Sequence, residues 1–200
     1  MFIEPSPASW PIALAVNGYG APADPLTDPG LTGYLSAVLN YCHSFPHIQF
    51  QLHLLGGCTN RADMSEAAAM WEWLTRRPWP DNLDERVVMH KSPLDLRSDL
   101  ESLREDLNMR GYPPQQPVVY FCEASRRPAV EYLAVRMFRS RIRVIGLNFD
   151  KQAMSLSHRI YQAGPKLWIE ILAYELGGPI EWLRRRLRQR HIDKHHRLAS

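Results

Sequence analysis

Five short apolar runs, separated by longer stretches of helical spacing, restrict the fold of this chain more than any other feature. Ile12-Ala-Leu-Ala-Val16 is continuously apolar and ends at Asn17-Gly18-Tyr19-Gly20, the pattern of a strand buried on both faces and followed by a loop. A Pro- and Gly-rich loop runs from Ala21 to Gly30. Leu31, Tyr34, Leu35, Val38, Leu39 and Cys42 then predict a helix over roughly 31–44. His47 to Leu55 reads as a second strand that stops at Gly56-Gly57. Ser65 can cap a helix over 66–77, which ends before Pro78 because proline lacks the donor a helix needs. Arg86 to His90 is the third strand, and Leu96, Leu100, Leu103 and Leu107 mark the helix after it, closed by Gly111. Pro117-Val-Val-Tyr-Phe-Cys122 is the least ambiguous strand. It leads through Glu123-Ala-Ser-Arg-Arg-Pro128 into a helix carrying Val130, Leu133, Ala134 and Met137, and Ile142 to Leu147 is the fifth strand.

Strands that alternate with helices build a parallel sheet, because each parallel crossover needs a covering element. The expected fold is therefore α/β: a three-layer, doubly wound, Rossmann-like, mostly parallel five-stranded sheet with flanking helices and a C-terminal helical extension. That extension begins with an amphipathic helix over Lys166 to Leu176, broken at Gly177-Gly178-Pro179 and resumed by Ile180, Trp182, Leu183 and Leu187. With 200 residues, 45% of them hydrophobic, the chain supports one core. The expected division is an α/β domain over 1–178 and a basic helix or tail over 179–200. No apolar run approaches the roughly 20 residues of a membrane span. Met1 to Pro5 carries no secretory signal, so the expected address is cytoplasmic. Three cysteines with no Cys-x-x-Cys pair read as reduced thiols.

Open parallel sheets bind ligands beyond the carboxyl ends of their strands, where loops meet helix N-termini. Asn17, Gly18 and Gly20 follow the first strand. Gly56, Gly57, Cys58, Thr59 and Asn60 follow the second, with Ser65 and Glu66 opening the next helix. His90, Ser92 and Asp95 follow the third; Glu123, Ser125, Arg126 and Arg127 the fourth; Asn148 and Asp150 the fifth. The expected ligand-binding set is Asn17, Gly18, Gly56, Gly57, Thr59, Ser65, Glu66, Ser92, Asp95, Glu123, Arg126 and Arg127.

Each of these admits a plain structural alternative. The Gly56 to Thr59 turn either lets backbone approach a phosphate or simply joins strand to helix. Arg126 and Arg127 either grip an anion or sit solvated in a first helical turn. Glu123 is an acid or base, or capping electrostatics; Cys58 a nucleophile, or a half-buried thiol. His90 with Asp95 could form a base and its orienter, but no Gly-x-Ser-x-Gly elbow supplies a serine. Gly-x-Gly-x-x-Gly and Walker-type motifs are absent, which lowers the case for dinucleotide or ATP use, and no His-Glu-x-x-His spacing suggests a metal. No metal is expected and no catalytic residue is assigned. Residues 184–200 carry a net +6 against +3 for the whole chain. Arg184 to Arg197 could therefore dock an anionic partner, nucleic acid or a membrane surface, or could be a solvated face.

Several segments taken together resemble the YdcF-like family, a domain family of largely unknown function that includes the SanA and ElyC envelope proteins. Leu54-Leu55-Gly56-Gly57 followed by Ser65-Glu66-Ala67 is similar to its strand, glycine pair and helix start. Met89 to Asp95, Val118 to Cys122 with Arg126 or Arg127, and Leu167 to Tyr174 with Glu170 occupy its later positions. The likeness spans residues 12–175. Asn17, the Asp95-Leu96-Arg97-Ser98 stretch in place of a Thr-x-x-Asn, and the lack of a histidine after the fourth strand depart from the family pattern. The resemblance implies a Rossmann-like fold and a small nucleotide-like ligand such as S-adenosylmethionine. The competing expectation is a non-enzymatic module that docks anionic partners through residues 180–197.

Overall fold

The computed structural model describes residues 10–59, 61, 63–91, 95–148 and 165–178, together with 182, 186, 189, 190, 192 and 193. Its strands are β1 (Ile12–Val16), β2 (Phe50–Leu55), β3 (Val88–His90), β4 (Val118–Glu123) and β5 (Ile142–Leu147). The helices are α1 (Pro29–His43), α2 (Glu66–Leu74), α3 (Leu96–Met109), α4 (Arg127–Phe138) and α5 (Pro165–Leu176), with 3-10 turns at Ala124–Arg126 and Arg139–Arg141. The strands form one sheet in the order β3-β2-β1-β4-β5, every pair parallel. This is the three-layer Rossmann-like α/β architecture read from the alternation of elements.

Alternation along each strand separates two cores. Leu14, Val16, Leu52, Leu54, Val119 and Phe121 pack under α1 and α2 against Leu31, Tyr34, Leu35, Met70 and Trp73. Ala13, Ala15, Val118, Tyr120 and Cys122 face α3 and α4, meeting Leu100, Leu103, Leu107, Val130 and Leu133. Ala13 to Val16 are fully buried, as the central strand of such a sheet requires.

Element ends differ from the sequence reading where side chains take over backbone partners. β2 begins at Phe50 rather than His47, because the preceding turn is held by buried Asn82, whose Nδ2 donates to the carbonyls of Cys42, Phe45 and Ile48. β3 loses Arg86 and Val87 to a turn in which Arg86 N–H donates to Asp84 Oδ1 and Val87 N–H to the Glu85 carbonyl. α1 starts at Pro29, since Asp28 accepts from Leu31 N–H and proline suits the first turn. α2 ends at Leu74: Arg76 and Arg77 N–H bond three residues back, tightening the chain ahead of Pro78.

α5 leans on α4 through the Arg136–Glu175 ion pair (2.9 Å) and the Tyr132 hydroxyl donating to Glu175. Gly177 and Gly178, at φ of 56° and 45°, end it. Cys42, Cys58 and Cys122 are free thiols, and burial pushes Cys42 and Cys122 up to about 12. No helix among the described residues is long and apolar enough to cross a membrane.

The connections run one way from β1 to β2 to β3 and the other way from β4 to β5. The order therefore reverses between β1 and β4, which opens a crevice at their carboxyl ends.

Candidate functional site

Asn17 is the first residue past β1 and is almost wholly buried, at 2% exposure. Its N–H continues the ladder to the Phe121 carbonyl (3.0 Å), so its side chain is held at the mouth of the β1–β4 crevice. The Tyr34 hydroxyl lies 3.1 Å from the Asn17 carbonyl and 3.0 Å from that of Phe121, pinning both strand ends from α1. From the opposite face, Asp99 in the first turn of α3 accepts from Asn17 Nδ2 at 3.4 Å and is itself 4% exposed. Arg126, in the 3-10 turn after β4, donates from Nη1 to the Gly18 carbonyl (3.4 Å).

Charge accumulates in this small volume. Burial opposes the Arg126 charge, but the Tyr120 hydroxyl and the Asp99 and Glu66 carboxylates around it prevail and raise its pKa above the usual arginine range. Burial, then the Asp99 charge, pushes the Tyr120 hydroxyl far up. Among the described residues, Asn17 Oδ1 and the Tyr120 hydroxyl are buried and meet no hydrogen-bond partner. Native interiors rarely leave such atoms unmatched.

Gly18 and Gly56 shape the neighbouring wall around Glu66, which the Thr59 hydroxyl also contacts. A Cβ on Gly18 would fall 1.7 Å from Glu66 Oε2, so the missing side chain there lets the carboxylate approach the β1 end. The Gly56-Gly57 turn directs both of its carbonyls at the start of α2. Glu66 and Ala67 N–H donate to the carbonyls of Gly57 and Gly56, and Ala68 N–H donates to Ser65 Oγ. The first donors of α2 are thus spent, and the phosphate cradle expected at this helix start has no backbone N–H of Glu66, Ala67 or Ala68 to offer.

Of the expected set, Asn17, Gly18, Gly56, Thr59, Glu66 and Arg126 converge on the crevice, with Gly57 and Ser65 supporting them through the α2 cap. Arg127 lies apart: its side chain is 53% exposed and pairs with Glu131 at 2.7 Å. Asp95 is the cap of α3 in a reciprocal box with Ser98. Glu123 accepts from the Ser125 hydroxyl (2.8 Å). Ser92, Asn60 and Asp150 lie outside the described residues.

No family model, curated protein or solved structure matches this chain.

Asp99, Tyr120 and Tyr34 were not picked out by the sequence reading. The signal available was a polar stripe, Asp99, Ser102 and Asp106, at three-to-four spacing beside the leucines of α3. Lower along that stripe is a second polar cluster. His90 faces His53 and Ser102 rather than Asp95: its Nε2 is 3.3 Å from His53 Nδ1 and its Nδ1 is 2.8 Å from Ser102 Oγ. His53 Nδ1 is also 3.6 Å from Asp106 Oδ2.

Burial, then the nearby His90 and Arg110, lowers the His53 pKa to about 3; burial likewise lowers that of His90, against the pull of Asp106. Both imidazoles are neutral in the fold, whereas an unfolded histidine takes a proton below about pH 6.5. Stability from His53 is therefore complete above that pH and is lost as pH falls toward 3, by up to about 1.4 kcal/mol per unit, and His90 acts in the same direction. Urea denaturation at pH 7.5, 6 and 5 should show a steeper acid loss in the parent than in His53→Leu. Equal slopes would remove the histidine as a source.

A groove of about 840 Å³ crosses the opposite end of the sheet, lined by Arg104, Arg139, Arg141, Arg143 and the strand starts. It offers no helix N-terminus of a strand-to-helix loop. The basic segment Arg184 to Arg197 falls largely outside the described residues; within it Arg186 stacks over Trp182 (5.0 Å) and Ile192 is buried.

Proposed function

We propose that the chain binds a small nucleotide-type ligand, one that carries an anionic group and several hydroxyl or ammonium donors, in the crevice between the carboxyl ends of β1 and β4. The observation that carries this reading is Arg126, set beside Asp99 and Glu66 where Asn17 Oδ1 and the Tyr120 hydroxyl have no described partner. A guanidinium takes a carboxylate or phosphate, while carboxylates and an amide oxygen accept from ribose hydroxyls or an ammonium group. S-adenosylmethionine combines all of these groups. The resemblance to the YdcF-like family supports the same ligand class, and membership of that family is part of the proposal. Binding is proposed, without an assigned reaction.

Thermal-shift titration with S-adenosylmethionine, S-adenosylhomocysteine and adenosine monophosphate as probes tests it. At least one should raise the Tm of the parent. Arg126→Gln should weaken that probe by roughly 10- to 100-fold, the loss of a charged hydrogen bond; Arg127→Gln should leave it unchanged. No binding of any probe by equilibrium dialysis, or equal loss in the two variants, would overturn the reading.

A further inference from the structure

His53, His90 and Asp106 come from β2, β3 and α3, far apart in sequence, yet one donor atom of each lies within 4.8 Å of the others. The histidines are buried and Asp106 is only 15% exposed. This cluster stands apart from the ligand crevice: Asp106 follows Asp99 by seven residues on one helix, roughly 10 Å along its axis.

The contacts do not satisfy one another. His53 Nδ1 sits 3.3 Å from His90 Nε2 and 3.6 Å from Asp106 Oδ2, but a ring nitrogen holds either one proton or one lone pair. With a proton it can serve one of the two neighbours fully. With a lone pair it confronts the Asp106 carboxylate. A cation between the three resolves the conflict, because each atom can direct a lone pair at it. Tetrahedral coordination with metal–ligand bonds of about 2.0 to 2.1 Å places donors roughly 3.3 Å apart, close to the two shorter separations here.

At His90 and Asp106 the surroundings agree. Ser102 Oγ, 2.8 Å from His90 Nδ1, orients that ring from its far side, as outer-shell partners of metal-bound histidines do. Asp106 stands in the last turn of α3, whose C-terminal carbonyls favour positive charge. Arg110 Nε donates to Asp106 Oδ2 at 2.7 Å, but its side chain is 40% exposed, so solvent screens its repulsion of an ion.

We propose that His53 Nδ1, His90 Nε2 and Asp106 form a binding site for one divalent transition-metal ion, zinc being the best fit to two imidazoles and a carboxylate. Three protein ligands leave a fourth position for water. The ion ties β2, β3 and α3 together at the edge of the sheet.

The test uses the full chain, stripped with a chelator and then titrated with zinc chloride by calorimetry, and with cobalt(II) followed by visible absorption. One equivalent of zinc should bind and raise Tm by about 5 °C or more once the site is saturated a hundredfold above Kd. Cobalt should give the intense absorption of a four-coordinate ion. Asp106→Asn and His90→Gln should each weaken zinc at least tenfold and abolish that spectrum, whereas Arg110→Gln should not weaken it. Failure of the parent to bind, a six-coordinate cobalt spectrum, or unchanged affinity in either ligand variant would overturn the site and assign any zinc uptake to surface histidines. The parent spectrum decides the question even if a variant fails to fold.

Discussion

Gly56→Ala should lower Tm by roughly 6 to 12 °C, the equivalent of about 3 kcal/mol in a chain of this size. Gly56 holds φ at +131°, where an L side chain is strained, and its new Cβ would stand 2.8 Å from Glu66 Cβ and 3.1 Å from the Gly18 backbone. Neither neighbour can retreat cheaply: Glu66 is at the head of α2 with its N–H bonded to Gly57, and Gly18 joins β1 to the crevice. Gly111→Ala is the control. Its φ is +75° but open space surrounds it, so only the backbone strain of about 1 kcal/mol applies. Differential scanning calorimetry of the two variants separates the terms, and equal shifts would show that the wall at Gly56 is not tightly packed.

Arg126→Met should destabilise the fold by about 3 kcal/mol in urea at pH 7.5, because it leaves the buried Asp99 and Glu66 carboxylates without the cation beside them. Asp99→Asn in the same background should recover part of that loss, with a coupling of about 1 kcal/mol or more in the double-mutant cycle. Strict additivity would mean that the guanidinium and the carboxylate do not act on each other. The same substitution removes the anion-holding group of the proposed ligand site, so stability and binding should fall together at Arg126 and neither should fall at Arg127.

Much of the fold was legible because it is written in local periodicity. Ile142 to Leu147 reads as a strand and is one; Leu96, Leu100, Leu103 and Leu107 line a buried helical face. Ends were less legible where one polar side chain outcompetes the ladder, as Asn82 does ahead of β2 and Asp28 does ahead of α1. At the site, the glycines and helix start after β2 read as a phosphate cradle. The hydrogen bonds of the turn occupy the N–H groups of Glu66, Ala67 and Ala68, and the proposed site assigns the anion to Arg126 instead.

Arg126 and Arg127 are adjacent in the sequence and alike in chemistry, so nothing local distinguishes them. The 3-10 turn does: it turns Arg126 toward Gly18 in the crevice and Arg127 toward Glu131 on the surface. Asp99 and Asp106 read as ordinary charges on an amphipathic helix until β1 and β2 are laid beneath them.

The sequence by itself determined the kinds of elements, their order and the loops that follow the strands, because side-chain spacing and turn chemistry act within a few residues. Only the tertiary structure decided that β1 lies beside β4, that Asn17 meets Asp99 and that His53 meets His90 and Asp106. Those meetings depend on sheet order and register, which arise from the packing of the whole core rather than from any one stretch of chain.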